Sequence, residues 1–309
     1  MNITVRQIEF RSTNGTDTIF GWIYIPAGPV RAAVQISHGM CEHIDRYLPF
    51  FRFLASEGFV VCGNDHLGHG KSCQDSAHLG YFAPEKGYQY LIEDLHRITL
   101  QLQQRYPDLP VFLFGHSMGS MIARLYLSKY SSLLHGVVLC GTAGPNPASK
   151  AGMLLCRKII ASKGPMAHSS QLYKLIFGSY NRRYDHPKTE FAWLSRDDEM
   201  VNAYIADPLC GFEFTASAYL DLLCLQYYCN TRLWYKTLDQ NLPMLMISGS
   251  MDPVGNYGKG IMQIERQLTK AGIHDLTVWL YPQARHELLN ETNRDEVMRD
   301  VLSWFALHL

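Results

Sequence analysis

The 309 residues include 47% apolar and 18% charged side chains, a globular balance that excludes a disordered chain or a long coiled coil. Twenty-eight basic residues offset twenty-eight acidic ones with no long run of either sign, which excludes the charge footprint of a nucleic-acid-binding protein. No apolar stretch reaches the roughly 18 residues of a membrane span, and MNITVRQIEF lacks the basic-then-apolar pattern of a secretory signal, so the expected location is the cytoplasm.

The first 26 residues alternate, turn at Asn14-Gly15 and alternate again through IFGWIYIP, the pattern of a β-hairpin. A strand–helix rhythm follows. AAVQISHG (32–39) is a short apolar run, and YLPFFRFLASEG (47–58) has helical spacing closed by Gly58. FVVCGND (59–65) repeats the strand signal, and Tyr88, Leu91, Leu95, Ile98, Leu102 and Tyr106 mark one apolar helix face,. VFLFG (111–115) leads into a helix over 118–130, and HGVVLCG (135–141) is the next strand. Apolar strands alternating with helices predict an α/β fold with a mostly parallel sheet covered on both faces.

Between Pro145 and about Asn230 the apolar residues keep helical spacing without a clear strand, which predicts a helical insertion,. The rhythm resumes with PMLMISGS (243–250), a helix through Ile261, Ile264 and Leu268, the strand LTVWLYP (276–282), and a last helix carrying Val297, Val301 and Trp304. Asn293 and Glu296 read as that helix's capping box. The eight cysteines form no CxxC pair, and several lie in apolar runs, so they read as reduced and structural.

Gly115-His116-Ser117-Met118-Gly119 fits G-x-S-x-G between a strand and a helix, the only context in which that pattern is informative. A tight turn there holds the serine hydroxyl at the carboxyl end of the strand, and the flanking positions must lack side chains. A serine needs a base and an orienting acid to become a nucleophile. Of thirteen histidines, His286 lies in a loop just after a strand, and Asp252 lies directly after PMLMIS. The order Ser117, Asp252, His286 is that of a nucleophile-elbow hydrolase. The Met118 amide and the Met40 amide, the latter beyond the strand AAVQIS, are the expected oxyanion donors. His38, Glu42, His43, Asp65, His66 and His69 cluster in two loops but match no metal-ligand spacing, so no metal and no cofactor is expected; Asp65, His66 and His69 are expected to hydrogen-bond loops that shape the pocket.

HGMCEHIDRY (38–47), DHLGHGKS (65–72), GHSMG (115–119), SGSMDPVGN (248–256) and ARHELLNE (284–291) together resemble the α/β-hydrolases. Among these, they are similar to the monoacylglycerol lipase and lysophospholipase group. The resemblance implies an α/β-hydrolase core over 1–144 and 231–309, a cap over 145–230 that shapes an acyl pocket, and the same roles for Ser117, Asp252, His286, Met40 and Met118. It implies hydrolysis of single-chain lipid esters, with transient contact between the cap and a membrane surface compatible with it. A carboxylesterase for short soluble esters is the alternative within the same chemistry. A proline iminopeptidase-like enzyme would need an acidic recess, for which Asp197, Asp198 and Glu199 are the candidates. A non-catalytic binding protein has no need of the three groups at those places. Oligomeric state is not readable from the sequence.

Overall fold

The computed structural model describes residues 2–309. β1 (Ile3–Arg11) and β2 (Thr18–Pro26) pair antiparallel from Arg11 opposite Thr18 to Ile3 opposite Pro26, and Gly15 turns the hairpin at φ 80°. Alternating strands and helices follow: β3 (Ala32–Ser37), α1 (Leu48–Ser56), β4 (Phe59–Asn64), α2 (Gly87–Arg105), β5 (Val111–His116), α3 (Met118–Tyr130) and β6 (Gly136–Cys140). Then come four helices without an intervening strand, α4 (Ser149–Lys163), α5 (Ser170–Phe177), α6 (Asp198–Ala206) and α7 (Ala216–Tyr228). A short α8 (Arg232–Lys236), outside the predicted elements, leads to β7 (Met244–Gly249), α9 (Lys259–Ala271), β8 (Leu276–Tyr281) and α10 (Arg294–Leu307).

The eight strands form one sheet in the order β1-β2-β4-β3-β5-β6-β7-β8, parallel from β4 to β8. Period-two alternation divides its side chains between two cores. Val111 and Leu113 of β5, Val137 and Leu139 of β6, and Met244 and Met246 of β7 face α2, α3 and α9. Phe112, Phe114, Val138, Leu245 and Ile247 face α1 and α10. Because both faces are covered, β3 to β7 are buried along their whole length and mostly apolar, which is why they read as apolar runs,.

The insertion is not a detached flap. α7 packs against α4 on one side and against α2 and α3 on the other, and nine of its thirteen residues are buried. A helix apolar nearly all round belongs in a core. Arg124 of α3, fully buried, grips the chain on both sides of the insertion. Its guanidinium donates to the Ala143 carbonyl (3.0 Å) at the entry, and to the Cys229 carbonyl (2.5 Å) and Asn230 Oδ1 (3.0 Å) at the exit, with Trp234 stacked on it. Arg124→Met is expected to cost about 3 kcal/mol, because it strands buried acceptors; a urea melt would read it as a lower midpoint at unchanged slope.

The expected capping box at the start of α10 is not formed. Arg196 of the insertion donates to Asn293 Oδ1 (2.8 Å), and Asn293 Nδ2 donates to Glu296 Oε2 (2.8 Å). Both side chains are thereby diverted from the helix amides.

Candidate functional site

The site is built where β3, β5, β6 and β7 end. Ser117 lies between β5 and α3 at φ 51° and ψ −117°, a strained conformation for a residue with a Cβ. It sits at the N-cap position of α3, yet its hydroxyl makes no capping bond, unlike an ordinary N-cap serine. The elbow closes so tightly that a Cβ on Gly119 would lie 2.1 Å from the Ser37 carbonyl oxygen.

The loop after β3 reaches the same point. A Cβ on Gly39 would lie 3.2 Å from Ser117 Cβ and 2.7 Å from Glu42 Oε1. On either side of Met40, the Gly39 amide donates to Glu42 Oε1 (2.6 Å) and the Cys41 amide to His69 Nε2 (3.3 Å). Among the described residues the amides of Met40 and Met118 donate to no protein acceptor. Two unspent N–H groups beside a serine, one of them at a helix N-terminus, can stabilise a developing oxyanion.

Asp252 and His286 are brought together across 34 residues. His286 Nδ1 lies 3.0 Å from both Asp252 carboxylate oxygens. The carboxylate is fixed in turn by the Val254 amide (2.8 Å) and the Ser248 hydroxyl (3.3 Å). Burial alone would lower the His286 pKa, but the Asp252 charge and hydrogen bond outweigh it and hold the imidazole above its ordinary value,. His286 and Ser117 line the same cavity, with no direct hydrogen bond between them in this conformation. Catalytic hydrogen bonds in ligand-free sites are often long or poorly aligned in this way.

The insertion holds the histidine loop in place. The Glu287 amide donates to the Leu194 carbonyl (2.7 Å), and Arg285 Nη1 donates to the carbonyls of Ala192 (2.5 Å) and Ser195 (2.9 Å). The Trp193 ring lies 5.1 Å from that of His286. Below them Arg46 joins the loop after β3 to the loop carrying His286: it donates to Glu42 Oε2 (2.5 Å) and to both oxygens of Glu287 (2.6 Å each), while its guanidinium covers Tyr204 of α6. Burial would raise the Glu287 carboxyl, but Arg46 overrides it and holds the pKa at about 2. For Glu42 burial prevails over Arg46, and its pKa is raised. Sequence alone presents Glu42 only among the loop residues weighed as metal ligands and does not single out Arg46, Glu287 or Trp193. The spacing of Glu42 and Arg46, four apart, was the available signal.

Asp65, His66 and His69 hydrogen-bond the loops around them, His66 Nε2 lying 3.0 Å from Ser37 Oγ and His69 Nδ1 2.9 Å from the Leu67 carbonyl oxygen. His38 Nε2 accepts from the His66 amide (2.9 Å), and Asp65 accepts from the amides of Ile44 (2.8 Å) and Lys71 (2.7 Å). Burial keeps His66 and His69 neutral, with pKa values lowered to about 3 and about 4. The grouping of potential metal ligands among the described residues is a different one, His43, Asp207 and Cys210. There His43 Nε2 is already bonded to Asp207 (2.8 Å), and burial pushes the Cys210 thiol up, away from the thiolate that a metal needs,.

The cavity holding Ser117 and His286 has a volume of about 410 Å³, within the roughly 300–1,000 Å³ of small-molecule sites. Ile176, Phe177, Trp193, Phe212, Leu222 and Leu223 of the insertion form apolar wall. Asp197, Asp198 and Glu199 do not line it. Asp197 caps α6 and bonds Arg294 (2.8 Å), and Asp198 pairs with Lys188. All eight cysteines are free thiols and seven are buried. No described helix is long and apolar enough to cross a membrane.

The sequence pattern of the serine aminopeptidase S33 family matches residues 28–293. A monoacylglycerol lipase of Mycolicibacterium smegmatis is 26% identical over 97% of both chains. The monoglyceride lipase of Mus musculus is 27% identical over 91% of this chain and 84% of its own. Among solved structures, a thermostable carboxyl esterase from Bacillus coagulans superposes with a TM-score of 0.92 at 33% identity, covering 98% of each chain.

Proposed function

We propose that this chain, which belongs to the serine aminopeptidase S33 family and is a serine hydrolase of the α/β-hydrolase class, cleaves carboxylic esters through an acyl-enzyme. Its preferred substrates in this reading are single-chain lipid esters, a monoacylglycerol or a lysophospholipid. The observation that carries it is one cavity lined by a strained, uncapped Ser117, by Met40 and by an Asp252-backed His286, with the unspent Met118 amide next to Ser117 in the chain.

His286 Nε2 takes the Ser117 proton as Oγ attacks the acyl carbonyl, and the two amides stabilise the oxyanion. The imidazolium returns its proton to the leaving alcohol, and water then releases the acid by the same route. Asp252 keeps Nδ1 protonated, which leaves Nε2 free to act as the base. Residues 145–230 act as the cap, and residues 1–144 and 231–309 as the catalytic core.

The lipid reading is supported by the apolar cavity wall and by the two lipase relatives. Identity of 33% to a carboxyl esterase favours short soluble esters as the second reading. A peptidase is disfavoured because the carboxylates lining the cavity, Glu42 and Glu287, are both engaged by Arg46, leaving no free anion for a substrate amino group. A panel of monoacylglycerols, lysophospholipids, short nitrophenyl esters and aminoacyl amides tests the choice. Long-chain single-acyl lipids are expected to give the highest kcat/KM; an optimum at the shortest acyl chains would overturn the lipid reading.

A further inference from the structure

The backbone on both sides of Met40 is spent on fixed partners. The Gly39 amide donates to Glu42 Oε1 (2.6 Å), and the Gly39 carbonyl accepts from His38 Nδ1 (2.8 Å). The Cys41 amide donates to His69 Nε2 (3.3 Å), and the Cys41 carbonyl accepts from the Gly211 amide and the Tyr204 hydroxyl (3.0 Å each). Two planar peptides meet at Met40. His38 holds the first through its carbonyl and His69 the second through its amide, so together they set the direction of the Met40 N–H, the donor left over.

Cys41 has φ 55°, left-handed backbone that strains a residue with a Cβ and persists only where its surroundings over-determine it. His69 supplies part of that constraint from the loop after β4. Its Nδ1 lies 2.9 Å from the Leu67 carbonyl oxygen, which can only accept, so Nδ1 carries the proton and Nε2 keeps the lone pair that the Cys41 amide needs. Phe82, Phe212 and Phe214 enclose the ring, their centroids 5.6, 5.3 and 5.4 Å from its own. That apolar enclosure disfavours an imidazolium, whose second N–H would face the Cys41 N–H. His69 is not among the residues lining the cavity, so its effect on the reaction passes through the loop.

We propose that His69 is a positioning residue for ester hydrolysis: its neutral imidazole holds the Met40–Cys41 peptide and thereby keeps the Met40 N–H in place for the oxyanion. The proposal rests on the reading of the Met40 amide as an oxyanion donor, and extends it to a side chain that never touches the substrate. Oxyanion donors act by being fixed before the charge develops, so a loop free to turn its peptide would lose that advantage. A bond that served stability alone would change the melting temperature and the yield of folded protein, and would leave turnover per folded molecule unaltered.

The test compares His69→Leu, which removes the acceptor, with His69→Gln, whose side-chain carbonyl can reach the position of Nε2. Per folded molecule, His69→Leu is expected to lower kcat on a nitrophenyl ester about 10²-fold with KM within about twofold of the parent. Affinity for a trifluoromethyl ketone, which forms a tetrahedral oxyanion adduct with the serine, should fall by the same factor as kcat/KM, while affinity for the matching unreactive ether stays constant. His69→Gln should recover kcat to within about tenfold of the parent. An unchanged kcat in His69→Leu, a loss confined to KM, a ketone affinity that does not follow kcat/KM, or a glutamine variant as slow as the leucine one would each overturn the proposal. If His69→Leu does not fold, His69→Asn, whose shorter amide stops at the position of Nδ1, takes its place, and equal rates for the asparagine and glutamine variants overturn the proposal. Ser117→Ala in the same assay separates the two claims. An inactive Ser117→Ala beside a fully active His69→Leu removes only the role of His69, whereas turnover by Ser117→Ala removes the ester mechanism on which that role rests.

Discussion

Ser117→Ala is expected to lower kcat/KM on the best ester substrate by about 10⁶-fold, leaving only the residual acceleration from binding and the oxyanion amides. The size follows from the way the site is assembled. Once the nucleophile is removed, His286 and Asp252 have no proton to move, so their contributions vanish with it. Substrate binding should survive, since the apolar wall of the cavity does not depend on the hydroxyl. Steady-state kinetics at high enzyme concentration, with ligand binding followed separately, would check both halves. Retained turnover would mean that another group attacks the ester.

Asp252→Asn is expected to lower kcat by about 10⁴-fold without unfolding the protein. An amide in place of the carboxylate can donate its N–H to His286 Nδ1, which moves the ring proton to Nε2 and blocks the atom that must accept the serine proton. The substitution also has a signed consequence for pH. In the parent enzyme Asp252 raises the His286 pKa above its ordinary value, so kcat/KM should rise with pH through a midpoint above about 6.5, where the imidazolium deprotonates. Without the carboxylate the imidazolium loses its partner, and the midpoint should move downward. His38, His66 and His69, held neutral by burial, should add no second step near neutrality. A pH–rate profile of parent and variant reads the shift directly, and an unmoved midpoint would mean that another group titrates.

The parts of the molecule legible in the sequence are those governed by local rules. A strand buried on both faces needs apolar residues throughout, so β3, β4, β5, β6 and β7 showed as runs, and Gly115 and Gly119 marked a turn too tight for side chains. What escaped was decided by contacts distant in the chain. Asn293 looked like a cap until Arg196, 97 residues earlier, took its oxygen. The packing of α7 against α2 and α3 joins residues far apart in the sequence, which no local pattern displays. Arg46 carries no motif of its own, and its role as the tie between the Glu42 and Glu287 loops exists only in three dimensions.

The central claim is that Ser117 becomes covalently acylated, and trapping that residue tests it most directly. After incubation with a fluorophosphonate, intact-mass spectrometry and peptide mapping should find one adduct per chain, on Ser117, formed in step with loss of esterase activity. The adduct should fail to form in Ser117→Ala. An adduct on another residue, or full inactivation with Ser117 unmodified, would contradict the account.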